Sequence, residues 1–434
     1  PVLVGFGIRD AASAAALAVT SYARDGGAEI LAKFPDEGPL SETLARHLAQ
    51  SPVIAAYAEE MKGWRRHLHA NPELAYDCHN TAAYIVERLQ EIGVDEIHPG
   101  IAKTGIVAII NGSAPGPTIA LRADMDALPI TETSGVDHAS TIPGKMHACG
   151  HDGHVTMLLG AAKYLAETRR FTGRVALLFQ PAEEDGAGGQ AMVQEGVMDR
   201  FDVAQVYGIH NAPNIPFGNF QTTPGALMAS VDTAFVYITG KGGHGATPHD
   251  CIDPVVAVVG MVSAIQTIIP RNVYALDEAV VSVTQIHTGT ASNIIPEEAM
   301  FCATIRCFKP EVRALLKRRF HEIVEGHATA YNVQARIDYD WGYPATINHA
   351  ENAAFATEVA TEISGADAVD GNSNREMGSE DFSYMLEARP GAYLFMGIGP
   401  GAGLHHSAYD FNDEAAPIGA SFFARLVERA HPLP

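Results

Sequence analysis

The chain has 434 residues, 47% of them hydrophobic, with 51 acidic against 29 basic side chains and a formal net charge of −22. That length allows roughly three domains of about 150 residues, and the acidic balance excludes a nucleic-acid binder, which needs a basic stripe, and a partner for anionic membranes. No apolar run nears the roughly 20 residues of a membrane span, and five scattered cysteines argue against a disulfide framework and for a reducing cytoplasm.

In chain order, residues 1–8 (PVLVGFGI) read as a strand and 11–18 as the start of an alanine-rich helix. The apolar stretch 11–20 is too short for a secretory signal and has no basic region before it. Residues 1–50 stand apart as an N-terminal extension with no assigned role. From residue 51 onward strand and helix alternate. Residues 53–69 and 81–92 have helical periodicity, the second stopped by Gly93. Four apolar segments read as buried parallel strands: 118–123 (TIALRA), 174–179 (RVALLF), 203–209 (VAQVYGI) and 392–397 (AYLFMG). A helix over 155–169 follows the first. Between the third and fourth lies a block with its own order. It has strands at 231–239, 279–287, 299–308 and 333–339 and helices at 254–269 and 310–331. That order is βαββαβ. The expected division is a catalytic domain of 51–228 and 340–434, interrupted by an inserted domain of 229–339.

Each of the four buried strands leads to potential metal ligands: Asp124 and Asp126, Glu183 and Glu184, His210, and His405 with His406. Ligand sites in open α/β sheets lie beyond the carboxyl ends of the strands. The densest cluster is HACGHDGH (147–154) at a strand-to-helix junction, with Asp152 placed to cap the helix and residues 147, 149 and 151 on one side of an extended segment. Taken singly, these residues would be a buried cysteine and surface histidines. Together they are the borderline-soft ligands that Zn²⁺, Ni²⁺, Co²⁺ or Mn²⁺ accept. A glutamate pair after a buried strand is costly unless something positive stands beside it. Glu183 and Glu184 point different ways, so one can ligate a metal while the other takes a proton from water.

The strings WRRHLHANPEL (64–74), ALRADMDALP (120–129), HACGHDGH (147–154), QPAEE (180–184), GIHN (208–211) and LHHSAYDFND (404–413) jointly resemble the M20 metallopeptidase and amidohydrolase family. The likeness is greatest to its aminoacylase, hippurate hydrolase and indole-acetyl-amino-acid hydrolase branch, and it runs from about residue 52 to about residue 430. The resemblance implies an α/β fold: a mixed-sheet metallo-hydrolase catalytic domain with an inserted βαββαβ, ferredoxin-like lid and dimerisation domain. It implies two divalent ions per subunit (Mn, Zn, Co or Ni), held by Cys149, His151, Glu184, His210 and His405. Glu183 would be the general base, and Asp126 would orient a ligand from behind. His244, in a Gly-rich loop, would steady the oxyanion in a neighbouring subunit, and Asn293 and Arg306 would bind the substrate carboxylate. Related peptidases carry His where this chain has Asp124. Cys149-Gly-His151 would supply the missing ligand, and Asp124 as a direct ligand and His406 as a rival to His405 stay open. The activity implied is hydrolysis of N-acyl or N-aroyl amino acids by a cytoplasmic homodimer or homotetramer. A dipeptidase or carboxypeptidase of the same fold is the alternative.

Overall fold

The computed structural model describes residues 52–434, so the strand and helix expected at 1–8 and 11–18 lie outside the described residues. The described chain divides into two compact units, one formed by 52–225, 347–374 and 384–434, the other by 226–346 and 375–383.

In the larger unit, helices α1 (Ala58–Ala70) and α2 (His79–Ile92) precede strands β1 (Glu96–Ile101), β2 (Gly105–Asn111) and β3 (Thr118–Asp124). Helix α3 (His151–Thr168) leads to β4 (Arg174–Gln180), β5 (Val203–Pro213) and the short β6 (Phe220–Gln221). The last part adds α4 (Ala350–Ser364), β7 (Val369–Asp370), β8 (Gly391–Gly399) and α5 (Ala416–Ala430). The strands form one eight-stranded mixed sheet in the order β1-β2-β4-β3-β5-β8-β6-β7. At its centre β4, β3, β5 and β8 run parallel, and these are the four segments read as buried parallel strands. β1 and β2 close one edge antiparallel. β3 and β8 are buried at every position, which is why their sequences show an unbroken apolar run and not an alternation. α2 ends as expected at Gly93, whose φ of +81° lets its N–H reach Leu89 O and Gln90 O.

The start of α3 differs from the expectation. The helix begins at His151, not 155, and its N-cap is Gly150 at φ +85° with no side-chain cap. Asp152 lies inside the first turn, and its carboxylate meets His69 Nδ1 at 2.8 Å instead of capping the backbone. A buried imidazole in need of a partner outcompetes the cap.

The smaller unit holds strands Ser230–Thr239, Ala279–Thr288, Glu298–Cys307 and Gln334–Trp341 and helices Pro254–Ile265 and Pro310–Tyr331, in the βαββαβ order read from the sequence. Its sheet is antiparallel with 298–307 and 230–239 at the centre. Val236, Ile238, Phe301, Leu316 and Phe320 form its core. The Asp253 carboxylate accepts from the N–H groups of Val255 and Val256, and Pro254 follows it as the first helical residue. The helix expected to reach 269 stops at Ile265 and resumes as a separate turn, Ile268–Asn272. Residues 375–383 join this unit, beyond the block of 229–339 drawn from the sequence, because Ala229 N–H donates to Glu376 O and Gly378 O at 3.0 and 2.8 Å. Among the described residues no helix is long and apolar enough to cross a membrane.

Candidate metal centre

The parallel strands deliver the acidic and imidazole groups to one place. β3 ends at Asp124, and two residues later comes Asp126. β4 ends at Gln180, and the turn through Pro181 and Ala182 presents Glu183 and Glu184; Ala182 takes a left-handed φ of +56°. β5 runs on past its expected end, so that His210 lies within the strand. The chain after β8 brings His405 to Ala148, where His405 N–H donates to the carbonyl at 2.8 Å. His405 itself sits at φ +61°, a strained conformation for a non-glycine residue of the kind that collects at functional sites.

Several groups of ligand atoms come within 4.8 Å of one another, and two of them are triads that contain Cys149: Cys149, His151 and His210, and Cys149, Glu184 and His405. Cys149 belongs to both. Its sulfur is 3.5 Å from His210 Nε2. Glu184 Oε1 is 3.8 Å from His151 Nε2 and 3.3 Å from His405 Nε2. Glu183, 6% exposed, groups with His151 and Glu184 within the same 4.8 Å. His151 Nε2 and Glu184 Oε1 are buried and make no hydrogen bond among the described residues. A buried polar atom without a partner costs about 1–3 kcal/mol, so two such atoms converging on the same thiol fit a cation between them. His151 Nδ1 bonds Asp126 O at 2.8 Å, which turns Nε2 toward the thiol. His405, not His406, reaches the cluster; His406 Nδ1 accepts from Ala408 N–H in its own loop.

The electrostatics agree. Burial, then Glu184, Glu183 and Asp124, push the Cys149 thiol well above its ordinary range. Burial works against a charge on His151, yet Asp124 and Asp126 raise it to about 10. A thiol and several carboxylates gathered in a dry place favour any cation, and a divalent ion reverses the bias on the thiol by displacing its proton.

Other polar residues nearby are committed elsewhere. Asp124 takes Arg122 Nη1 on Oδ2 at 2.7 Å and His154 Nδ1 on Oδ1 at 2.5 Å. Burial raises its pKa, but Arg122 and the two histidines hold it well below the carboxylate range. With both oxygens engaged it is a support and not a free ligand. His154 Nε2 accepts from Asn211 N–H at 2.9 Å, so that ring is used on both sides. His147 has neither ring nitrogen bonded among the described residues, and it is absent from both triads. Residues 147, 149 and 151 do not lie on one extended segment as expected, because the chain turns at Gly150 and His151 already opens α3. Asp126 turns its carboxylate to the backbone, with Oδ1 accepting from Glu183 N–H at 3.0 Å and Oδ2 from Glu184 N–H at 3.1 Å.

Within the smaller unit, His244 and Asn293 come together. His244 pairs with Ile294 in a short ladder, and Gly245 N–H donates to Asn293 O at 2.8 Å. Both side chains are exposed. Arg306 is half-buried on its strand and donates to Met377 O at 2.8 Å, with no carboxylate paired to it among the described residues. An ordinary strand salt bridge is thus not its role.

The pattern of Peptidase family M20/M25/M40 matches residues 120–429. The chain belongs to this family. It is 39% identical over 378 residues to a hippurate hydrolase from Campylobacter jejuni, covering 86% of this chain and 97% of that one. It is 38% identical to an N-acetyl-L-cysteine deacetylase from Bacillus subtilis, covering 90% and 92%. A solved Bacillus subtilis structure, described as a dinuclear metal binding peptidase from the M20 family, superposes with a TM-score of 0.75 at 34% identity, covering 87% of this chain and 99% of that one. Membership fits the two-unit α/β architecture and the convergence of ligands at the strand ends. Sequence reasoning missed Asn211 and Tyr409, which brace this M20 site from beneath. Asn211 Nδ2 donates to Cys149 O at 2.6 Å, and the buried Tyr409 hydroxyl donates to Asn211 Oδ1 at 2.6 Å. Both lie inside the quoted strings, but only their contacts reveal the task.

Proposed function

We propose that this chain is a metal-dependent amidohydrolase that splits N-acyl or N-aroyl amino acids into a carboxylic acid and an amino acid. The observation that carries the reading is Cys149 shared between two ligand triads, with Glu183 beside them. Cys149, His151 and His210 would hold one ion, and Cys149, Glu184 and His405 the other. Divalent ions bound there would supply a Lewis acid for the amide carbonyl and a water of lowered pKa. Glu183 takes the proton of the attacking water on its carboxylate and returns it to the departing nitrogen. Asp126 keeps the two glutamates apart in role by holding both of their backbone N–H groups. Arg306, lacking a carboxylate of its own, binds the substrate's carboxylate with Asn293, and His244 steadies the oxyanion.

The same reading includes a homodimer or homotetramer built on the smaller unit. Val256 and Val259 on one helix and Ile286 on the edge strand 279–288 are each at least half exposed, as an unpaired apolar surface would be. All five cysteines are free, which supports a reducing cytoplasm.

The test is hippurate hydrolysis by protein stripped with a chelator and then given Mn²⁺, Zn²⁺, Co²⁺ or Ni²⁺ singly. Activity is lost on stripping and returns with metal. Full turnover by protein that elemental analysis finds metal-free overturns the reading. Faster hydrolysis of unblocked dipeptides than of hippurate turns it toward the dipeptidase alternative.

A further inference from the structure

We propose that Arg65 is a positioning residue for the ion seat made by Cys149, Glu184 and His405, fixing the segment that carries His405 without touching the seat itself. The proposal rests on the ligand assignment above. Arg65 lies in WRRHLHANPEL, a string to which the chemistry gives no part.

The two seats are built unequally. His151 opens α3 and His210 lies within β5, both fully or nearly fully buried. His405 is on a loop, in a left-handed conformation, with its side chain 53% exposed. A ligand on such a loop is only as well placed as the loop's anchors. His405 N–H itself holds Ala148 O, and two residues downstream Thr133 N–H holds Ser407 O at 2.7 Å. Beyond these the buried Tyr409 hydroxyl bonds Asn211 Oδ1 at 2.6 Å, and the charged anchor that follows is Arg65. It projects from α1, 1% exposed, and donates through Nη1 to Asp410 Oδ1 at 2.7 Å and through Nε to Asp413 Oδ1 at 2.5 Å. Asp410 also meets His138 Nε2 at 3.0 Å, and Asp413 also takes Arg66 Nε at 2.9 Å. A planar guanidinium bridges two carboxylates in fixed geometry, whereas a lysine ammonium is a single point on a flexible stem.

Arg65 also stands 3.7 Å from Asp152, next to His151. That carboxylate has its own partner in His69 at 2.8 Å, and His151 is further held by its helix and by Asp126. Loss of Arg65 therefore loosens the His405 segment, left with its bonds to Ala148, Thr133 and Asn211, while α3 stays tied. The consequence is specific: one ion is weakened and the other is not.

The experiment titrates the stripped full-length protein with Co²⁺ alone, following visible absorption and heat, and compares wild type with Arg65→Lys, Arg65→Met and the pair Asp410→Asn/Asp413→Asn. Wild type binds two ions; if it binds fewer, the ligand assignment fails and not the role of Arg65. Loss of a supporting partner typically lowers metal affinity about 10–100-fold. That drop is expected in one of the two binding steps, with the other unchanged, and Arg65→Lys should resemble Arg65→Met more than wild type. Adding Asp413→Asn to Arg65→Met should lower the affinity little further, since both break one contact. If Arg65→Met does not fold, the Asp410→Asn/Asp413→Asn protein, altered on the partly exposed side of the contact, carries the same readout. Equal weakening of both steps, or no weakening of either, overturns the proposal.

Discussion

Gly150 separates Cys149 from His151, and replacing it with alanine tests whether the turn there assembles the site. Its φ is +85°, and a Cβ on it would lie 2.3 Å from Asn211 Nδ2 and 2.4 Å from the Tyr409 hydroxyl oxygen. Neither group can simply withdraw. Asn211 Nδ2 bonds Cys149 O, and the Tyr409 hydroxyl bonds Asn211 Oδ1, each at 2.6 Å in a buried environment. The left-handed conformation costs an L-residue about 1–2 kcal/mol, and a methyl group forced into a filled interior costs about 1–3 kcal/mol more. If Asn211 gives way, the Cys149 carbonyl is left unpaired, at about 1–3 kcal/mol. The expected destabilisation is roughly 3–8 kcal/mol, a large part of the roughly 5–15 kcal/mol that holds a domain together. Urea unfolding followed by far-UV circular dichroism reads the loss as a lower midpoint. Chelator competition reads the second effect, weaker metal binding, because the methyl group displaces the residues flanking it. A Gly150→Ala protein with wild-type midpoint and wild-type metal affinity would refute the reasoning.

The adjacent glutamates should separate by their traces. Glu183→Gln keeps its metal while kcat falls about 10²–10⁴-fold, whereas Glu184→Gln loses metal affinity and recovers part of its activity with added metal; the reverse pattern exchanges the two roles. Asp126→Asn sets an amide N–H₂ against one of the two backbone N–H donors, so both glutamates shift, and a crystal structure with unmoved glutamates together with unchanged kcat would count against it. Arg306→Ala should raise KM for N-acyl amino acids by an amount corresponding to about 2–5 kcal/mol. Amidation of the substrate carboxylate should then hurt wild type and barely affect the variant. Burial disfavours charge on His69, but Asp152 and Glu132 on its two ring nitrogens raise its pKa from 6.5 to about 9. A folded pKa above the unfolded one stabilises fully below pH 6.5, and that contribution is lost as pH rises through about 9. The urea midpoint should fall across that window in wild type and much less in His69→Gln; parallel profiles would show that His69 is not the group responsible.

The sequence by itself determined the four central strands of the sheet and the composition of the site, whereas the four outer strands emerged only with the structure. Short unbroken apolar runs bounded by turn residues fit strands buried on both faces, and parallel strands deliver their following residues to one edge, which is where the acids and histidines after TIALRA, RVALLF, VAQVYGI and AYLFMG converge. The βαββαβ order of the inserted block was legible for a similar reason, because strand and helix periods differ along the chain. What the sequence could not decide was which of several chemically equal neighbours takes which partner. His405 and His406 are indistinguishable as letters; a backbone bond to Ala148 and a left-handed φ turn the first toward Cys149 and leave the second on its own loop. Asp152 looks like a helix cap until His69, 83 positions away, claims its carboxylate. Asp124 looks like a ligand until Arg122 and His154 occupy both oxygens. Periodicity is a local property set by the backbone, whereas a hydrogen bond or a ligand seat is settled by groups distant in sequence that folding brings within 3 to 4 Å, and only the tertiary structure holds that information.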